Sequence, residues 1–152
     1  MLKVLCVGKV KDKNLKVLID DYLSKINHYH KLEIVEVKDE SITSDENAVL
    51  NREAERLLEK IASDEYVILV DLHGKSIDSV RFAEKMDSLF VHYSKITFVI
   101  GGSLGFGEGV KKRANEAIKL SDLTFLHQMT RLILLEQIYR GFKILNHETY
   151  HK

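Results

Sequence analysis

The sequence predicts an α/β fold: a parallel sheet with helices on both faces. Three observations predict it. Apolar runs of strand length alternate with amphipathic segments of helix length along the whole chain. Most of those runs are apolar at every position instead of every second one, as in strands covered on both sides. The segments between them are helix-sized, which is what parallel neighbours need as connections.

Each element has its own justification. LKVLCVG (2–8) is rich in Val and Leu and closes on Gly8, so it reads as a buried first strand. From 14 to 26, Leu15, Leu18, Ile19, Tyr22 and Ile26 recur at helical spacing. LEIVEV (32–37) alternates and reads as the second strand. Residues 45–62 put Ala54, Leu57, Leu58 and Ile61 on one stripe of a helix. YVILVDL (66–72) is the third strand, expected to stop at His73-Gly74. Ser76 or Asp78 is placed to cap the next helix, which carries Val80, Ala83, Met86 and Phe90. KITFVI (95–100) is the fourth strand and delivers the chain into Gly101-Gly102. Residues 108–118 read as a short helix, LTFL (123–126) as the fifth strand and 129–145 as the last helix. In such sheets the working crevice lies at the carboxyl ends of the strands. Those ends are Gly8-Lys9, Leu72-His73-Gly74, Gly101-Gly102 and Phe125-Leu126-His127.

Composition sets the bounds. One domain spanning 1–152 is expected at this length. With 45% hydrophobic and 30% charged residues the chain has the make-up of a globular protein. No apolar run approaches the roughly 20 residues of a membrane span, and the first residues lack the pattern of a signal peptide. A cytoplasmic location is expected, in keeping with the single Cys6. Net charge is zero but unevenly spread: +3 over residues 1–38, −7 over 39–110 and +4 over 111–152. Basic ends could meet a polyanionic partner, although scatter in solvated faces is the plainer explanation.

The last helix carries Leu135, Ile138, Phe142 and Leu145 on one stripe, with Leu132, Ile133, Leu134 and Ile144 around the rest. A helix apolar nearly all round is buried nearly all round, so burial in a homodimer is expected. Glu136 and Arg140 stand at i,i+4 and read as a salt bridge.

Three motif readings compete. His147-Glu148-Thr149-Tyr150-His151 spells HExxH, the zinc-protease pattern, but it sits past the helix and lacks a downstream third ligand, so no metal is expected. Gly105-Phe106-Gly107-Glu108-Gly109 contains GxGxG, but after the fourth strand instead of the first, where a strand-to-helix turn explains it as well. The third reading joins Gly101-Gly102 to the segment LSDLTF (120–125) at the same sheet edge. Backbone groups there, flanked by Val70, Leu72 and Leu120, make a plausible pocket for an adenine ring.

At this point a family resemblance enters. IGGS (100–103), LHQMTR (126–131), LLEQIYR (134–140) and the final YHK (150–152) resemble the RlmH-type ribosomal RNA large-subunit methyltransferases of the SPOUT superfamily, and the likeness runs essentially end to end. The resemblance implies a parallel α/β sheet with a C-terminal trefoil knot, working as a homodimer. It implies methylation of N3 of a pseudouridine in large-subunit ribosomal RNA, with S-adenosyl-L-methionine as cofactor. Cofactor contacts of similar enzymes fall on Val70, Gly101 and the loop Leu120, Ser121, Asp122, Leu123, Thr124 and Phe125, with Leu72, Gly74 and Gly102 as neighbours. Tyr150 and His151 match the tail residues associated with catalysis. His151 is expected to act as base or orienting group and Tyr150 as a stacking or hydrogen-bonding partner. Arg131, His127, Lys9 and Arg140 are the candidates for touching substrate RNA, each with a structural alternative. Ser103-Leu104 stands where the superfamily often has Pro-Glu, and Gly141 where Ala is common. A non-catalytic RNA-binding module of the same fold is the alternative function.

Overall fold

The computed structural model describes residues 1–152. Its centre is a five-stranded, all-parallel sheet of order β2-β1-β4-β3-β5. The strands are β1 (Leu2–Val7), β2 (Leu32–Val37), β3 (Tyr66–Ser76), β4 (Ile96–Ile100) and β5 (Glu116–Lys119). The helices are α1 (Lys13–Asn27), α2 (Glu46–Leu58), α3 (Ser79–His92), α4 (Glu108–Arg113) and α5 (His127–Leu145). Alternate side chains divide the core between two faces. Leu2, Val4 and Cys6 meet α1, α3 and α5, whereas Leu5 and Val7 meet α2 and α4. Burial pushes the Cys6 thiol up to about 12, so it behaves as a small core residue.

Helix starts follow local chemistry. Asp12, Asp45 and Asp78 each accept first-turn N–H groups of α1, α2 and α3, satisfying donors that have no intrahelical partner. Of the two candidate caps before α3, Asp78 does the work.

Two expected elements are corrected. The helix expected over 108–118 ends at Arg113, and the fifth strand is Glu116–Lys119, not 123–126. Asn115 makes the switch: its N–H donates to the Val67 carbonyl at 2.9 Å, and its Oδ1 accepts the Val67 N–H at 2.8 Å. That clasp ends the helix and starts pairing against β3. Residues 123–126 are then free to be a loop. The third strand also runs past His73-Gly74, because Lys75 and Ser76 pair with Ile118 and Lys119 after a register shift beyond Val70. Gly74 permits this: a Cβ there would lie 2.6 Å from the Ile118 backbone.

α5 is wrapped by its own chain more than expected. It packs between α1 and α3, burying Leu134, Leu135, Ile138 and Phe142, while Ile133 and Ile144 stay half-buried. No helix is long and apolar enough to cross a membrane. Gly74→Ala is expected to cost about 1–3 kcal/mol through backbone overpacking at β5; an unchanged urea midpoint would show that β5 does not press on Gly74.

Candidate functional site

The carboxyl edge of β3 and β4 holds a cavity of about 580 Å³, within the roughly 300–1,000 Å³ of small-molecule sites. Its floor is Val70, Leu72 and Ile100, and one wall is the turn Gly101-Gly102-Ser103 with Gly105 and Phe106. The opposite wall is the loop from Leu120 to Leu126, and the first turn of α5 closes it with His127 and Thr130. The turn is tight: Gly105 N–H donates to the Gly102 carbonyl at 3.1 Å, with Gly105 at φ +89°, a conformation glycine adopts without strain. The glycines also serve packing. A Cβ on Gly101 would lie 2.7 Å from the Gly105 carbonyl oxygen, and one on Gly107 would lie 2.8 Å from that of Leu50 on α2. The GxGxG run is thus a compact strand-to-helix connection pressed onto α2.

The tail lies elsewhere. Tyr150 packs edge-on against Tyr139 and donates to Glu136 at 3.1 Å, and the Arg140 guanidinium lies over its ring. Burial first, then Tyr22 and Glu136, push its phenol well above the usual tyrosine range, so it remains a donor. Arg140 Nη1 stands 3.1 Å from His151 Nδ1. Arginine can only donate, so Nδ1 accepts and a neutral ring carries its proton on Nε2. Glu136 and Arg140 form the expected ion pair at 2.5 Å. His147 has a left-handed φ of 54°, and Glu148 is held by Lys143 and Tyr29, each at 2.8 Å. The two histidines of the HExxH pattern therefore do not share a helical turn.

Against this geometry, the family model described as predicted SPOUT methyltransferase matches residues 1–151. The chain belongs to the SPOUT methyltransferases. Curated relatives span its full length. The ribosomal RNA large subunit methyltransferase H of Malacoplasma penetrans (strain HF-2) is 43% identical and that of Alkaliphilus oremlandii (strain OhILAs) 45%, each alignment covering 99% of both chains. That of Caldicellulosiruptor saccharolyticus is 40% identical over all of both chains.

In this SPOUT methyltransferase most of the expected cofactor positions converge. Val70, Leu72, Gly101 and Gly102 line the cavity, as do Leu120, Ser121, Leu123, Thr124 and Phe125. Two do not. Gly74 sits in the β3–β5 pairing, and Asp122 turns outward to pair with Lys119. Asp71, Ser103, Phe106 and Thr130 line the cavity without having been singled out; only their adjacency to the expected residues signalled them. The lining suits a flat heterocycle with a polar arm: apolar side chains on the floor, and backbone with hydroxyls on the walls.

The expected RNA contacts divide as well. His127 is half-buried at the cavity mouth, and Lys9 is exposed at the end of β1. Arg140 is engaged with the tail. Arg131 takes up the structural alternative in this geometry: at 2% exposure it points into the protein, giving Nη1 to Glu36 at 2.5 Å and Nη2 to the Gly8 carbonyl at 3.2 Å. It ties α5 to the ends of β1 and β2. Arg131→Met is expected to lower stability by about 1–3 kcal/mol by leaving Glu36 and Gly8 unpaired. An RNA contact would instead leave the denaturation midpoint unmoved and weaken only RNA binding.

Proposed function

We propose that this chain transfers a methyl group from S-adenosyl-L-methionine to N3 of a pseudouridine in large-subunit ribosomal RNA, in the cytoplasm and as a homodimer of one 1–152 domain. The observation that carries the reading is the cavity where the Gly101–Gly105 turn meets the 120–126 loop in a chain 43% identical to a curated large-subunit rRNA methyltransferase. The finer features of the family, the trefoil knot among them, belong to this reading.

When bound, S-adenosyl-L-methionine supplies a methyl group already activated by its sulfonium. Everything else falls to the chain. Val70, Leu72, Leu120 and Phe125 would hold the adenine between apolar surfaces, and backbone groups of Gly101, Gly102 and the 120–125 loop would read its polar edge. Holding both partners in line replaces a bimolecular encounter with a positioned one. The imide N3–H of the acceptor base must release its proton as the new bond forms. Tyr150, kept protonated, can hydrogen-bond to the base or stack on it but does not act as its base. His151 orients the imide through Nε2–H, or takes its proton once Arg140 lets go.

The tail and the cavity stand apart in one protomer. Thr130 faces the cavity while Glu136 and Arg140 hold the tail, 6 and 10 positions along α5, which at 1.5 Å per residue is about 9 and 15 Å. A partner copy is therefore the proposed source of the tail at each cavity. Apolar side chains around the mouth support this: Leu126 is 78% exposed and Leu123 70%, and Met129 is also exposed, an arrangement typical of a buried contact between copies.

The non-catalytic alternative separates cleanly by calorimetry: the methyltransferase binds S-adenosylmethionine at sub-millimolar concentration, and absence of binding ends the enzyme reading. Ribosomes from a strain lacking this protein should accept a methyl group, identified by mass on a pseudouridine. His151→Ala is expected to cut turnover by about 100-fold with cofactor affinity unchanged. Intact turnover would remove His151 from the chemistry. Co-expressing His151→Ala with a cavity-blocking Gly101→Trp variant should restore activity in mixed dimers; two inactive proteins that stay inactive together would place the tail's work within one protomer.

A further inference from the structure

A second, smaller cavity of about 220 Å³ opens behind the glycine turn, and Gly102, Ser103 and His127 line both cavities. Its inner wall carries Glu53 of α2, only 6% exposed. One of its oxygens, Oε2, accepts the Glu40 N–H at 3.0 Å. The other, Oε1, has no hydrogen-bond partner in the protein and faces Gly102, where a Cβ would lie 3.0 Å away. A carboxylate this buried with a free oxygen is costly unless something cationic meets it. Its acidic neighbour Glu40 is already claimed by Arg56. No lysine or arginine lines the cavity, and Arg56, the cation that acts on Glu53 from outside it, is paired with Glu40. His127, on the shared wall, begins α5, a helix of 19 residues whose first turn has no side-chain cap. Those free N–H groups and the helix dipole favour an anion.

A negative group and a positive helix end, placed on one small cavity beside a larger one, match a zwitterion joined to a heterocycle. We propose that Glu53 Oε1 binds the α-ammonium of the methyl donor's amino-acid arm, with the first turn of α5 receiving its α-carboxylate. The inference rests on the proposed use of S-adenosylmethionine and adds the subsite that distinguishes the donor from adenosine compounds lacking an amino acid. Burial first, with the neighbouring Asp39 and Glu40 charges, holds the Glu53 carboxyl above the usual range against the opposing pull of the Glu40 N–H and Arg56, a penalty that a bound ammonium would offset.

The test uses calorimetry on the full chain with three probes: S-adenosylhomocysteine, its des-amino analogue and 5′-methylthioadenosine. In the unaltered protein the des-amino analogue should bind at least about tenfold more weakly than S-adenosylhomocysteine, the loss of one charge-assisted hydrogen bond. Glu53→Gln keeps an acceptor for Glu40 N–H and removes the charge. It should weaken S-adenosylhomocysteine by about the same factor, abolish the preference over the des-amino analogue and leave 5′-methylthioadenosine untouched. Equal weakening of all three probes would mean that Glu53 only supports the fold, and overturns the inference. So does equal affinity of the unaltered protein for the first two probes, a result that needs no variant. In both cases the methyl-donor reading survives, because the nucleoside still binds. If no probe binds the unaltered protein, that reading falls and takes the subsite with it.

Discussion

The close approach of β5 to Gly74 is the constraint from which the rest of the site follows. Ile118 can lie flat against the β3 backbone only because position 74 has no side chain. Pairing there holds β5 at the sheet edge after the register shift beyond Val70. It releases the chain at Leu120 directly opposite the turn after β4. A wider spacing would carry the 120–126 loop and the start of α5 away from Gly101, and the large cavity would have one wall instead of two. Gly74, expected as a neighbour of the cofactor contacts, lies outside the cavity lining and sets where one of its walls begins.

The glycine cluster likewise serves two physical ends. Gly101 and Gly105 allow the chain to fold back within four residues, and Gly107 lets α2 press against the loop. The same close approach brings Glu53 to the back of the turn. Packing on one side of a loop thus fixes the electrostatics on the other. Elsewhere buried charges meet partners: Lys3 pairs with Glu65, which also accepts the Thr97 hydroxyl, and Arg131 gives its two terminal nitrogens to Glu36 and the Gly8 carbonyl while its Nε stays unpaired. Glu53 differs in leaving one carboxylate oxygen open to a cavity, which points to function more than to stability.

α5 joins the cavity to the tail of the proposed mechanism. Its first turn closes the cavity, its middle is anchored by Arg131 and an apolar stripe between α1 and α3, and its last turns carry Glu136 and Arg140, which hold the tail. A rigid rod of this kind keeps tail and cavity apart within one protomer.

The sequence by itself determined the alternation of strands and helices and the parallel sheet, because these depend on hydrophobic period; it left Ser76 and Asp78 both open as the cap of α3. It also marked Gly101, Gly102 and the 120–125 loop, since a strand running into paired glycines has few other uses. Tertiary structure decided the fifth strand. EAIK and LTFL are both short enough to pair, and only the Asn115 clasp on Val67 and the free edge of β3 select the first. It also decided which charges are buried. Nothing local distinguishes Arg131 from Arg140 or Glu53 from Glu55; only the direction in which each helix faces the sheet does.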